Sequence, residues 1–315
     1  MTSLALLPTP LDPCPAPLPG GARLFVKRDD LTGLGLGGNK ARKLDALCAA
    51  ALADGCDTLV TVGGAQSNHC RMTAAAGARL GLPVHLVLGG DDPGEPTGNQ
   101  LLMQLFGATL HWAGSHDWVD MTVRSEEVAF ELAAAGRRPH LVPIGGSTPV
   151  GASAFAAAYA ELLDQVAGVD AVVVTSSSGG THAGLLAGQV LAGGGPHVVA
   201  VAVAKGTVDA ASVTRLADAT LRHLGDDRAV DPADVEVDHR WAGPDYEVPT
   251  PEGDEAIRWA ARHGGWALDR TYTGKGFSGL LGLAREGRWS SGDTVVFWHT
   301  GGFPALFAPG GAPDL

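Results

Sequence analysis

Seven short apolar runs alternate with longer amphipathic stretches along the 315 residues of the chain. The runs lie at residues 57–62, 84–90, 108–112, 140–146, 170–176, 197–204 and 293–299. Continuous Val, Leu and Ile over such a length is typical of strands that are buried on both faces of a parallel sheet. We therefore predict that these runs are strands of mainly parallel sheets.

Helix-like segments separate the apolar runs. They are KARKLDALCAAALADG, HCRMTAAAGARLG, NQLLMQLFG, GASAFAAAYAELLDQ, THAGLLAGQVLAG and GDEAIRWAARHGG. Several end in glycine, as helix C-termini commonly do. The alternation of strands and helices predicts an α/β fold with right-handed crossovers, and the length suits two lobes.

Charge and composition narrow the possible partners. The formal net charge is −12, which argues against a nucleic acid or an anionic membrane as a partner. The apolar runs are too short for membrane spans, and the N-terminal segment lacks the basic region of a signal peptide. Cys14, Cys48, Cys56 and Cys70 form no C-x-x-C pair, so no metal site is predicted. We expect a cytoplasmic protein without a membrane partner.

The segment GLGLGGNKARK at residues 33–43 is the first candidate site. Its glycines match G-x-G-x-x-G, but no strand leads directly into them, and Asp57 opens the next strand instead of closing it. A nucleotide site therefore stays a minor alternative. Asn39 is predicted to cap a helix whose first turn contains Lys40. Burial and the helix dipole would both lower the pKa of Lys40, as an imine-forming lysine requires. Lys275 is the rival lysine.

Three further loops follow predicted strands. Ser67, Asn68 and His69 open a helix, where a carboxylate would be bound. The SSSGGTHAG loop at residues 176–184 resembles a cradle for one phosphate group. Thr300 follows the last strand and offers a hydroxyl to a ring nitrogen. Ordinary helix capping and a tight turn are the structural alternatives at the first two loops.

The four loops together match the needs of pyridoxal phosphate (PLP) acting on an amino acid. They supply a lysine for a covalent bond, a carboxylate site, a monophosphate site and a hydroxyl group. A protein that binds a phosphorylated metabolite without turnover is the non-enzymatic alternative.

Six segments resemble the D-cysteine desulfhydrase and 1-aminocyclopropane-1-carboxylate deaminase family. They are LFVKRDDLTGLGLGGNKARKL, LVTVGGAQSNHCR, GNQLL, SSSGGTHAGL, LDRTYTGKGFSGL and VVFWHTGGFPALF. The resemblance implies a fold type II PLP enzyme with two three-layer α/β domains, mainly parallel sheets and a homodimeric assembly. We expect residues 1–45 and 150–315 to form a large PLP-binding domain, and residues 46–149 a small one.

The resemblance also implies roles for individual residues. Lys40 falls on the lysine that binds PLP covalently, Asn68 on the partner of the ring hydroxyl, and Ser67 with Asn68 and His69 on the substrate carboxylate loop. The phosphate loop falls on Ser178, Gly179, Gly180 and Thr181. Tyr246 and Tyr272 fall on two active-site tyrosines.

Thr273 distinguishes two branches of the family. Cyclopropane deaminases have a glutamate at this position, facing the pyridine nitrogen, whereas desulfhydrase-like members resemble this chain in having threonine. A hydroxyl gives the ring less electron-sink character, which is sufficient when the leaving group is good. The sequence therefore predicts a lyase that converts D-cysteine to pyruvate, sulfide and ammonia. A cyclopropane deaminase and a cysteate sulfo-lyase are the alternative activities.

Overall fold

The computed structural model describes residues 3–206 and 208–314. A six-stranded sheet has the order β1-β2-β10-β7-β8-β9. Its strands are β1 (Leu11–Pro13), β2 (Arg23–Lys27), β7 (Ala171–Ser176), β8 (His197–Ala202), β9 (Glu236–Asp238) and β10 (Thr294–Trp298). Only β1, at one edge, runs antiparallel to its neighbour in this sheet.

A second sheet contains four strands in the order β5-β4-β3-β6, and all of its pairings are parallel. They are β3 (Thr58–Gly63), β4 (Val84–Leu88), β5 (Thr109–Trp112) and β6 (Pro139–Val142). The helices are α1 (Lys40–Ala53), α2 (Asn68–Leu80), α3 (Gly98–Leu105), α4 (Trp118–Ala134), α5 (Pro149–Gln165), α6 (Gly180–Leu191), α7 (Ala210–His223), α8 (Pro251–Gly264) and α9 (Thr273–Arg285).

Each sheet is covered by helices on both faces. In β7, Val172 and Val174 pack with α5, α6 and α7, whereas Val173 between them packs with α8 and α9. In β3, Leu59 packs with α1 and α2, and Val60 packs with α4. Alternate residues of a strand point to opposite faces, so a continuous apolar run fills two cores. The predicted α/β fold with mainly parallel sheets is confirmed.

The strands divide between the sheets in an interleaved way. Those of the four-stranded sheet all lie within residues 58–142, and those of the six-stranded sheet lie before and after this range. This distribution agrees with the expected interleaving of two lobes, and the domain boundaries at 45 and 149 stay a prediction. Within the described residues, no helix has both the length and the apolarity needed to cross a membrane.

Helices α4, α7 and α9 were not among the predicted helices, and in α9 glycines interrupt the sequence. The glycines permit close packing on the large sheet: a Cβ atom at Gly276 would lie 2.1 Å from Thr175 Oγ1, and one at Gly279 would lie 2.6 Å from Val201. Tertiary packing here outweighs the low helix propensity of glycine. The contact brings the start of α9, and with it Tyr272, to the carboxyl end of β7.

Candidate active site

A cavity of about 540 Å³ opens where the carboxyl ends of strands from both sheets meet. This edge is where open α/β sheets bind ligands. Most of the predicted site residues line the cavity: Lys40, Ser67, Asn68, His69, Ser178, Gly179, Thr181, Tyr246, Tyr272 and Thr300. The structure therefore brings together four loops that are far apart in the sequence.

Lys40 is the first residue of α1 and faces the cavity. Burial lowers the pKa of its ammonium group to about 8. The prediction that Asn39 caps this helix is wrong: Asn39 has helical backbone angles and its side chain makes no capping hydrogen bond. Its amide instead donates to Thr181 Oγ1 over 3.0 Å. Asn39 thus connects the lysine loop to the predicted phosphate loop.

Lys43 is a buried lysine that the motif analysis did not select. Its ammonium group donates to the carbonyl of Gly145 at 3.1 Å and to Ser147 Oγ at 3.5 Å, and the side chain is 1% exposed. Burial, followed by the nearby charge of Lys40, lowers its pKa well below the ordinary value. Among the described residues, no carboxylate pairs with Lys43. Two lysines with lowered pKa values, Lys40 and the buried Lys43, therefore lie side by side at the cavity without a carboxylate partner in the described part of the chain.

Ser147 holds the loop between β7 and α6 in place. Ser147 Oγ donates to Ser178 Oγ at 2.8 Å and accepts the Gly180 N–H at 3.2 Å. Gly180 itself does not line the cavity, and a Cβ atom there would lie 2.7 Å from Lys43 Nζ. The amine of Lys43 therefore lies directly against the first turn of α6, where both the helix dipole and the ammonium favour an anion.

Three polar atoms of the cavity wall are buried without a partner within the described part of the chain. They are Thr175 Oγ1, Ser176 Oγ and His69 Nδ1. Thr175 Oγ1 lies against Gly276 of α9. A buried polar group without a hydrogen bond is costly, so a polar ligand that bonds to Ser176 Oγ or His69 Nδ1 would stabilise this wall. An imine-forming lysine, an anion cradle and unpaired polar atoms together fit PLP.

Ser67 and Asn68 start α2 in different ways. Ser67 Oγ caps the helix by accepting the Cys70 N–H at 3.2 Å, as the structural alternative predicted, and its own proton stays available. Asn68 Oδ1 accepts a hydrogen bond of 2.9 Å from the amide of Asn99. That bond assigns the NH₂ group of Asn68 as the donor toward a ligand. Asn99, in the GNQLL segment, is a positioning residue that the sequence reasoning missed.

His69 has a defined tautomer. Thr61 Oγ1 donates to the carbonyl of Val142 at 2.7 Å, so it must accept from His69 Nε2 at 2.9 Å. Nδ1 is then an acceptor. Burial, followed by the charges of Lys40 and Lys43, holds the pKa of His69 well below its ordinary value. His69 is therefore a neutral member of the site.

Two tyrosines meet at the cavity. The hydroxyl groups of Tyr246 and Tyr272 are hydrogen-bonded to each other, and the rings pack edge-to-face with centroids 5.6 Å apart. Trp118 packs edge-on against Tyr246 at 5.4 Å. Burial raises the pKa of Tyr272, so the phenol stays protonated and can donate. Both tyrosines that the resemblance assigns to the active site therefore line the same cavity, and their roles stay a prediction.

Thr273 lies beneath the cavity wall and is fully buried. Its hydroxyl donates to Asp269 Oδ1 at 2.7 Å and accepts the Asp269 N–H at 2.9 Å. The same carboxylate accepts the backbone N–H groups of Thr271, Tyr272 and Thr273. Asp269, which the motif analysis passed over, thus fixes both Thr273 and the start of α9.

The glycine loop that resembled a nucleotide fingerprint has another structure. Residues 34–36 form a single 3-10 turn rather than the start of a helix. The guanidinium group of Arg71 donates to the carbonyls of Gly35 and Gly37 and holds the loop from α2. This geometry does not form a nucleotide-binding turn.

Comparison with known proteins agrees with the geometry. A family model described as pyridoxal-phosphate dependent enzyme matches residues 2–301. A crystal structure of an ACC deaminase homologue is 37% identical, with a TM-score of 0.88, and the alignment covers 96% of this chain and 92% of that one. Cysteine synthase from Entamoeba histolytica, at 18% identity and a TM-score of 0.68, shares the fold over 97% of this chain and 89% of its own. The resemblance to fold type II PLP enzymes is confirmed, and the chain belongs to the pyridoxal-phosphate-dependent enzyme family.

Proposed function

We propose that this chain is a lyase that removes a β-substituent from a small amino acid, with D-cysteine as the first substrate to test. The observation that carries the proposal is the amine of Lys40, whose pKa of about 8 suits a base, in a cavity with Ser67 and the tyrosine pair. PLP, when bound, supplies an electron sink for the negative charge that develops at Cα. The protein must supply the proton transfers and the substrate orientation.

Each role follows from the chemistry of a side chain. Lys40 takes the proton from Cα. Ser67 and the N-terminal N–H groups of α2 bind the substrate carboxylate. Tyr246 and Tyr272 face the leaving group and supply a proton to the departing sulfide. With one water molecule, D-cysteine then yields pyruvate, hydrogen sulfide and ammonia. The homodimer and the cytoplasmic location stay predictions.

The reaction class is tested by product analysis. The purified PLP-loaded protein is incubated separately with D-cysteine, L-cysteine, cysteate and β-chloroalanine, and pyruvate and the released sulfide, sulfite or chloride are measured. We expect pyruvate and sulfide in equal amounts from D-cysteine. Boiled protein and PLP alone are the controls, since free PLP catalyses slow elimination. The absence of product from all four substrates would contradict the elimination reaction.

Two observations favour other substrates. The 37% identity to an ACC deaminase homologue supports a cyclopropane deaminase, for which 2-oxobutyrate is the product to measure. Lys205 lines the cavity from the stretch at residues 205–245 and could attract a sulfonate, as a cysteate sulfo-lyase requires. Asp117 and Asp245 also line the cavity and offset that charge, so D-cysteine remains the first choice.

The Thr273→Glu variant tests whether the contact with Asp269 requires a threonine at position 273. The longer side chain would enter a fully buried site and place a second carboxylate beside Asp269. We expect the free energy of unfolding to fall by about 2 kcal/mol at pH 7. Like-charge repulsion raises the pKa of the new carboxyl, so the loss shrinks as the pH falls and the group is protonated. Urea unfolding at pH 7 and pH 5 measures both effects.

Thr273→Ser is the matched control, since it keeps the hydroxyl that donates to Asp269. We expect it to retain D-cysteine turnover and near-native stability. A Thr273→Glu variant with native stability and 2-oxobutyrate formation would show that Asp269 does not determine the residue at this position.

A further inference from the structure

Lys275, in the first turn of α9, is fully buried and lies outside the cavity lining. Its ammonium group lies within hydrogen-bond distance of four backbone carbonyls. The acceptors are Val203 at 3.1 Å, Ala242 at 2.8 Å, Asp245 at 2.8 Å and Tyr246 at 3.1 Å. An ammonium has three protons, so there are more oxygen atoms than protons to share. A shell of carbonyl dipoles around one positive charge is the coordination that proteins give to potassium.

Two features of this position, the helix start and burial, disfavour a positive charge on Lys275. The start of a helix carries a partial positive charge, which repels an ammonium. Among the described residues no carboxylate forms an ion pair with Lys275; Asp245 and Asp269 favour its charge from a greater distance, but burial is the larger effect and lowers its pKa to about 8. A cation held under these conditions must be stabilised mainly by the carbonyl oxygens, and it must in turn hold those carbonyls in place.

The four carbonyls belong to two segments of the cavity wall. Val203 follows β8 and precedes Lys205 and Gly206, which line the cavity. Ala242, Asp245 and Tyr246 belong to the loop that places the Tyr246 phenol against Tyr272. Neither segment is part of a helix or strand. The ammonium therefore connects two irregular segments to α9, which also follows directly on Tyr272.

We propose that Lys275 is a positioning residue that acts as a tethered monovalent cation, ordering the loop at residues 242–246 so that Tyr246 meets Tyr272. The carbonyl groups form a cation site that the lysine side chain fills permanently. The effect that we predict on turnover rests on the proposed function, because it assumes that Tyr246 contributes to turnover. The ordering of the loop at residues 242–246 does not depend on the proposed function.

Two variants separate the charge from the packing. Lys275→Met keeps the volume and removes the charge, and Lys275→Ala removes both and leaves space for an ion. Hydrogen–deuterium exchange is measured on the PLP-loaded protein in potassium chloride and in tetramethylammonium chloride at equal ionic strength. We expect faster exchange of residues 242–248 in both variants. Potassium should reverse the change, with a saturable dependence, in Lys275→Ala only.

Turnover of D-cysteine is measured in the same salts. We expect kcat to fall about tenfold in both variants through the displaced tyrosine, with a smaller change in KM, and to recover with potassium in Lys275→Ala. Lys27→Met is the matched control, since Lys27 is equally buried but pairs with Glu161. That substitution should leave exchange at residues 242–248 unchanged in either salt.

Three results would overturn the cation role. They are native exchange and turnover in Lys275→Met, an equal defect of both variants in every salt, or unfolding of both variants in every salt. The last result would mean that Lys275 supports the whole fold rather than two loops. If potassium restores the exchange pattern but the wild-type protein releases no sulfide, the cation role stands and the proposed substrate is wrong.

Discussion

Lys40→Ala is expected to lower kcat/KM for D-cysteine by at least about 10³-fold and to remove the covalent bond to PLP. Among the described residues that line the cavity, Lys205 is the only other lysine, and it is exposed. Lys275 has a similarly lowered pKa of about 8, but four carbonyls hold its amine outside the cavity lining. Turnover and the visible absorption of the PLP-loaded protein are the two measurements.

Borohydride reduction identifies the lysine directly. We expect it to bleach the visible band of the wild-type protein and to leave the label on a peptide containing Lys40. Lys27→Met serves as the control that keeps the band. Label on the Lys275 peptide, or a normal band in Lys40→Ala, would contradict the assignment.

The lowered pKa of Lys40 also predicts how the rate of its reaction with PLP depends on pH. Only the neutral amine attacks the aldehyde of PLP, and burial lowers the pKa of this amine to about 8. The rate at which the apoprotein forms the visible band should therefore rise with pH and level off above about 8. A rate that keeps rising toward the ordinary lysine pKa of about 10.4 would show that the amine is solvated before PLP binds.

Seven of the described strands were predictable from continuous apolar runs, whereas β1, β2 and β9 lie outside those runs. Each of the seven apolar runs overlaps a strand, although β6 begins one residue before the run at 140–146 and ends at Val142. Helices were less predictable where packing rather than propensity determines them. Helix α9 needs its glycines for close contact with β7 and β8, and those glycines conceal a helix from a sequence pattern.

Three of the four site loops were predictable because each follows a parallel strand, and such strands end at one edge of a sheet. The residues that support them were not. Asp269 and Asn99 act through Thr273 and Asn68, and their roles depend on contacts that the sequence does not specify. Lys43 was the exception: it lies three residues after Lys40 on α1, a spacing that places both side chains on one helix face.

Lys43→Met should have opposite effects on the free protein and on PLP binding. In the free protein Lys43 is buried without a carboxylate partner, and the charge of Lys40 opposes its protonation. Replacing a buried amine that lacks a carboxylate partner with an apolar side chain of similar volume removes a polar group that is costly to bury. We therefore expect the unfolding free energy of the apoprotein to be unchanged or higher, despite the loss of the bond to Gly145.

PLP affinity should fall in the same variant by about 10- to 100-fold, since a hydrogen bond to a charged group contributes about 1.5–3 kcal/mol. The phosphate dianion would raise the pKa of Lys43, so PLP binding to the wild-type apoprotein should be accompanied by the uptake of a proton. PLP binding to Lys43→Met should lack this uptake. Calorimetric titration of the apoprotein in buffers of different ionisation enthalpy measures both quantities. Lys43→Arg, which keeps the charge, is the control for affinity.

Unchanged affinity and proton uptake in Lys43→Met would remove Lys43 from the phosphate site. A fall in both affinity and apoprotein stability would instead mean that Lys43 supports the loop rather than the ligand. The opposite signs follow from one cause: the amine of Lys43 lacks an anionic partner among the described residues, and the phosphate group would supply one.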